Sequence, residues 1–139
     1  MSKGNAAKSF KFDLVTPDRI VVSENSSMVV IPGNLGDFGV LTDHSPMISS
    51  LRPGVVTVHI AAGGVRKVFI SGGFADVNNN ICSVLAEEAF NVEDLDVSKL
   101  ESERETLEAD LDIAGADLLK IEAINKRLDV IQAKLDALG

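Results

Sequence analysis

The chain has 139 residues, 45% of them hydrophobic, a mean hydropathy of +0.18 and a net charge of −8. That length supports one domain with a core, or a small domain with an appendage, and no apolar run approaches the roughly 20 residues that span a bilayer. The acidic balance excludes nucleic acid, which needs a basic stripe, and an anionic lipid surface as a direct partner.

Residues 1–10 are polar and basic, with neither the apolar stretch of a secretory signal nor the arginines of a transit peptide. They read as a flexible lead-in to a first domain over residues 1–92. Up to Asn91, short apolar or alternating runs lie between turn signals. Val29-Val30-Ile31 stops at Pro32-Gly33, residues 55–60 stop at Ala61-Ala62-Gly63-Gly64, and residues 65–70 stop at Gly72-Gly73. Asn78-Asn79-Asn80 separates residues 74–77 from residues 81–86. Gly63-Gly64 between two β-rich runs predicts a hairpin, and asparagine tolerates the left-handed turn conformation. Short strands at a spacing of about 8–12 residues predict an antiparallel β-sandwich or flattened barrel. His59 alternates with Val58 and Ile60 and belongs on the surface. Cys82 is the single cysteine, so it forms no internal disulfide; in its apolar run it reads as a small buried hydrophobe in a reducing compartment.

The densest local signal is Ile31 to Gly54, IPGNLGDFGVLTDHSPMISSLRPG. Gly33, Gly36 and Gly39 stand three apart, a spacing that lets backbone take positive φ or approach another chain closely. It is not a phosphate cradle, because neither GxGxxG nor GxxxxGK[ST] is present. Asp43-His44-Ser45-Pro46 reads as a turn rather than as a base with its orienting carboxylate. GxSxG, CxxC, HExxH and Walker motifs are all missing, so the sequence predicts no catalytic residue and no metal ligand.

After Asn91 the period changes. Ile121, Ile124, Leu128, Ile131, Leu135 and Leu138 step alternately by three and four, an a/d seam. Leu100, Arg104, Leu107, Leu111 and Ala114 form a thinner seam with one charged member. Between them Gly115 suits a helix C-terminus and Asp117 an N-cap. Residues 93–139 therefore predict a second domain, an antiparallel two-helix hairpin. The acid sits here: this segment holds six basic and thirteen acidic side chains, against seven and eight before it. Glu101, Glu103, Glu105, Glu108, Asp110 and Asp112 read as a solvated helix face.

Four pieces in this order resemble one known family. The Gly33–Pro46 stretch is similar to the G-x-x-G-x-x-G-[VIL]-x-x-x-H-x-P block of the ε subunit of bacterial F-type ATP synthases, whose mitochondrial counterpart is called δ. Phe12-Asp13-Leu14-Val15-Thr16-Pro17 looks like that family's first strand. Phe69-Ile70-Ser71-Gly72-Gly73-Phe74-Ala75-Asp76-Val77 resembles its later SGG strand, and Val84-Leu85-Ala86-Glu87-Glu88-Ala89 the strand before its helical tail. The likeness covers the chain from Phe10 to Gly139.

The resemblance implies a rotor part without an active site or resident cofactor, its sandwich held between the γ subunit and the ring of membrane-embedded c subunits. It places the protein peripherally on the cytoplasmic face of a bacterial inner membrane, without inserting into the bilayer. Carried over by position, Gly33, Gly36, Asp37, Gly39 and His44 are the contact residues. In some members the tail binds ATP as a regulatory ligand through [IL]-D-x-x-R-A. Here Leu95 and Asp96 fit, while Lys99 replaces arginine and Leu100 replaces alanine; a point charge does not reproduce a planar guanidinium, which disfavours ATP. In the family the tail can reach the α and β subunits and block hydrolysis, an action tied to basic tails. The acidic tail here predicts weak inhibition and a mainly structural hairpin. The alternative reading is a β-sandwich adaptor that grips a partner through the helical hairpin.

Overall fold

The computed structural model describes residues 8–139. The chain divides into two compact units between Asn91 and Val92. The first holds β1 (Phe10–Thr16), β2 (Arg19–Gly33), β3 (Gly36–Leu41), β4 (Met47–Leu51), β5 (Gly54–Ile60), β6 (Val65–Ile70), β7 (Gly73–Asn78), β8 (Ile81–Ala86) and β9 (Ala89–Asn91). The second holds a 3₁₀ turn, Val92–Asp94, then α1 (Val97–Ile113) and α2 (Leu118–Leu138).

The sandwich is built around β2. Its first half pairs with β1, its second half with β5 on one side and β3 on the other. One strand thus serves both layers, with a register shift between Ser26 and Met28 where it passes from one to the other. The sheet path runs β1-β8-β7-β4-β2-β5-β6-β9 and makes a flattened sandwich rather than a closed barrel. Alternation sends one face of every strand inward: Phe12 and Leu14, Val29 and Ile31, Val56 and Val58, Val68 and Ile70, Ala75 and Val77, and Cys82 and Val84 share one core. The hairpin at Gly63-Gly64 joins β5 to β6, and Asn79 and Asn80 take φ of 51° and 60° in the β7–β8 turn.

Two expectations need correcting. The sandwich is not wholly antiparallel, since β1 and β8 pair in parallel, with Phe12 opposite Cys82 and Leu14 opposite Val84. The antiparallel β7–β8 hairpin carries β8 to the free edge of β1, and burying Phe12 and Leu14 there fixes the parallel register. Phe10, placed in the lead-in, is the first residue of β1 and is buried. The rest of the lead-in up to Ala7 lies outside the described residues.

Cys82 is fully buried in that core. Desolvation, then the charge of Asp76, pushes its thiol up from 9.0 to about 12. The folded protein keeps the proton that the unfolded chain releases above pH 9, so this stabilisation is complete below pH 9 and is lost as pH rises from 9 towards 12. Thiol labelling at pH 8 is expected to run at the rate of unfolding. Labelling as fast as that of a free thiol would show the site to be open.

In the helical unit, Asp96 caps α1 by accepting from the amides of Ser98 (2.9 Å) and Lys99 (3.3 Å), and Asp117 caps α2 by accepting from Lys120 N (3.2 Å). Gly115, at φ 62°, follows the last turn of α1 in the left-handed conformation that ends helices. Leu100, Leu107 and Ile131 are buried, with Leu95, Ile124, Leu128, Leu135 and Leu138 packed round them. Arg104 sits in this seam because its guanidinium has partners: Glu101 at 2.5 Å and Gln132 of α2 at 3.3 Å. Arg127 and Glu103 add a looser pair at 3.8 Å.

Candidate functional site

The β2–β3 hairpin turns through only Asn34 and Leu35, with Gly33 opposite Gly36. Gly33 is buried, and a Cβ there would stand 2.7 Å from the Gly36 carbonyl oxygen and 3.0 Å from the Phe38 ring, so no side chain fits. The hairpin lies beside β4 through a single bridge, Gly33 to Leu51, helped by Asn34 N to Ser50 O and Arg52 N to Pro32 O, both 3.0 Å. Arg52 adds the side-chain link. Its guanidinium donates to the Gly33 carbonyl and to the Asp37 carboxylate, one acceptor on each arm of the hairpin. Leu35 at the tip is fully exposed, and Ile48 on β4 is largely so. Between hairpin and β4 lies an open groove of about 640 Å³, lined among others by Leu35, Asp37, Phe38, Met47 and Ile48.

The contact group expected from sequence does not form one cluster. Gly33, Gly36 and Asp37 share the hairpin. Gly39 sits in the middle of β3 opposite Val30, with open space where a Cβ would be. His44 lies past the other end of β3, a strand of six residues that spans roughly 20 Å. There the Asp43 amide donates to Asn80 Oδ1 at 3.0 Å, with Asp43 at φ 65°. His44 Nδ1 donates to the Ser45 carbonyl at 2.7 Å, not to Asp43. This is a turn locked to the β7–β8 loop. In the helical unit, Leu95 packs in the apolar cluster, Asp96 spends its carboxylate on capping amides, and Lys99 is exposed.

Sequence reasoning missed a second surface. On the outer face of the sheet, Phe74 of β7 stands opposite Leu85 of β8, Leu85 opposite Val15 of β1, and Val15 opposite Ile20 of β2. These four form one apolar row across four strands. Ile20 is 68% exposed, Phe74 48% and Leu85 42%, so the row faces solvent in this chain alone. It begins at Ser50, which pairs with Phe74 and also lines the groove. Part of the signal was present in β1, where Phe12 and Leu14 fill the inward positions and Val15 is left for the outer face; Ile20 shares the parity of buried Val22 and reaches the outer face only through the register shift that sets it opposite Val15. Among the described residues, no group of three or more histidine, cysteine, aspartate or glutamate side chains could hold a metal ion.

Comparison with known proteins gives a consistent picture. Residues 9–92 match the family described as ATP synthase, delta/epsilon chain, β-sandwich domain. The ATP synthase epsilon chain of Rhizobium meliloti (strain 1021) is 40% identical over 133 residues, covering 96% of this chain and 95% of that one. That of Rhodospirillum centenum is 40% identical over 138 residues, covering 96% and 94%. Among solved structures, a chain of the Euglena gracilis mitochondrial ATP synthase (OSCP/F1/c-ring, rotational state 1) superposes with a TM-score of 0.83 at 26% identity, covering 95% of this chain and 82% of that chain. A chain of the Tetrahymena thermophila mitochondrial ATP synthase central stalk and c-ring shares the fold, with a TM-score of 0.65 at 16% identity.

Proposed function

The chain belongs to the ATP synthase delta/epsilon family as an epsilon chain of bacterial type, and from that premise we propose that it is a non-catalytic central-stalk subunit coupling γ to the c-ring in proton-driven ATP synthesis. The observation that carries this reading is the pair of apolar surfaces that meet at Ser50, the groove beside the β2–β3 hairpin and the row from Phe74 to Ile20. A subunit held between two partners needs two such surfaces on a rigid body, and contiguous exposed apolar area marks partner contact. The hairpin end takes the ring and the row takes γ. The subunit works at the cytoplasmic face of the bacterial inner membrane, held there by its partners; among the described residues no helix is long and apolar enough to cross a membrane.

The helical unit is a weak brake at most. Its thirteen acidic side chains against six basic ones give it the opposite charge to the basic tails to which inhibition is tied in the family. Asp96 already has backbone partners, and Lys99 offers no bidentate fork, so ATP is not part of this reading. Adding the purified protein to an F-type ATPase stripped of this chain tests both halves. Rebinding with little change in hydrolysis, at low and high salt alike, is expected. Strong inhibition that fades with salt would overturn the charge argument, and failure to rebind would overturn the assignment of partners.

A further inference from the structure

We propose that Arg52 is a positioning residue that holds the β2–β3 hairpin in the form its partner meets. This rests on the reading that the hairpin end contacts the c-ring. Backbone pairing ties the hairpin to β4 at one bridge only, Gly33 to Leu51, with two flanking hydrogen bonds. Beyond that bridge the tip carries Leu35, whose side chain has nothing packed on it in this chain. Such a tip keeps its freedom unless something outside the ladder fixes both arms. Arg52 does so with one side chain, since one nitrogen of its fork reaches the Gly33 carbonyl at the end of β2 and the other reaches Asp37 at the start of β3. The bonds are charge-assisted, and the planar fork presents its two donors in a fixed geometry, one to each acceptor. Gly33 cannot carry a side chain for this purpose, for want of room.

Two consequences follow. Asp37 is held in an ion pair, so the groove presents a paired carboxylate beside an apolar tip rather than an unpaired one. The contribution belongs to binding rather than to folding, because the Arg52 and Asp37 side chains are 42% and 61% exposed, and pairs this exposed contribute little to stability.

The test uses full-length protein and ATP synthase purified with its c-ring but without this chain. Wild-type, Arg52→Ala, Arg52→Lys, Asp37→Ala, Asp37→Asn and the Arg52→Ala/Asp37→Ala double variant are titrated onto it. Arg52→Ala is expected to bind about 2- to 10-fold more weakly, the cost of ordering the one side chain it releases, Asp37, on association. Arg52→Lys recovers part of the loss, and Asp37→Asn, which still accepts from Arg52, keeps most of the affinity. The double variant binds no worse than Arg52→Ala alone. Amide hydrogen exchange at Gly36 and Phe38 speeds up in free Arg52→Ala while the melting temperature stays near wild type, a combination that a purely structural role does not produce. If wild-type protein binds and Arg52→Ala and Asp37→Ala bind equally well, this inference falls and the ring contact stands. If wild-type protein does not bind, both fall.

Discussion

Gly73→Ala is expected to unfold the β-domain or leave it barely folded at growth temperature. Gly73 opens β7 at φ 143°, a conformation that residues with a Cβ rarely adopt. A Cβ there would lie 2.1 Å from the Leu85 carbonyl oxygen and 2.9 Å from the Ala86 Cα, both backbone atoms of β8. Neither can move without breaking the β7–β8 ladder at Gly73 and Ala86. Backbone strain of about 1–3 kcal/mol adds to overpacking of about 1–3 kcal/mol. Against a total stability of roughly 5–15 kcal/mol, a loss of several kcal/mol removes much of what holds a small domain folded. At about 4–8 °C per kcal/mol the melting midpoint should drop by at least ~10 °C. Gly39→Ala is the control, because no atom lies within 4 Å of a Cβ there and its φ is unremarkable. It should melt like wild type. Circular dichroism melts of the two variants give the comparison, and a wild-type melt for Gly73→Ala would show that the β7–β8 register differs from the one described.

Placing charge in the outer apolar row is the second large effect expected. Phe74→Asp and Leu85→Asp together put two carboxylates into the β7–β8 half of the row, opposite each other. Both side chains are outside the core, so the fold should survive; a modest drop in melting temperature is expected because charges directly opposite repel. The cost appears on binding, when the carboxylates must be desolvated against an apolar surface. Truncation of a central apolar anchor costs about 2 kcal/mol or more, and two such positions correspond to at least a 100-fold loss of affinity. A titration against purified γ subunit measures it. Unchanged affinity in a folded double variant would remove γ from this face.

Much of the fold was legible because alternation and helical periodicity are local. Phe12, Leu14, Val56, Val58, Val29 and Ile31 stand on the inward parity of their strands, and each is fully buried. Gly63-Gly64 and Asn79-Asn80 announced their turns by residue type, as did Gly115 and Asp117 between the helices. The seam was legible by position but not by depth: Leu100, Leu107 and Ile131 are buried, while Leu111, Ile121, Ile124, Leu128, Leu135 and Leu138 are only half-buried. What was not legible depends on residues far apart. The parallel pairing of β1 with β8 joins positions about 70 apart and leaves no trace in either segment. Arg52 reaches acceptors 15 and 19 residues away, and Leu-Arg-Pro-Gly alone says nothing of that. His44 and Asp37 fall in one motif, yet an extended strand between them holds them apart.

In the proposed function this chain makes the stalk grip the ring well enough for proton flow to drive synthesis. The direct measurement is proton-driven ATP synthesis in vesicles carrying an F-type ATP synthase depleted of this chain, before and after adding the wild-type protein. Poor synthesis is expected in the depleted vesicles, restored by wild-type protein and not by the Phe74→Asp/Leu85→Asp variant. Equal synthesis with and without the protein, or full restoration by that variant, would contradict it.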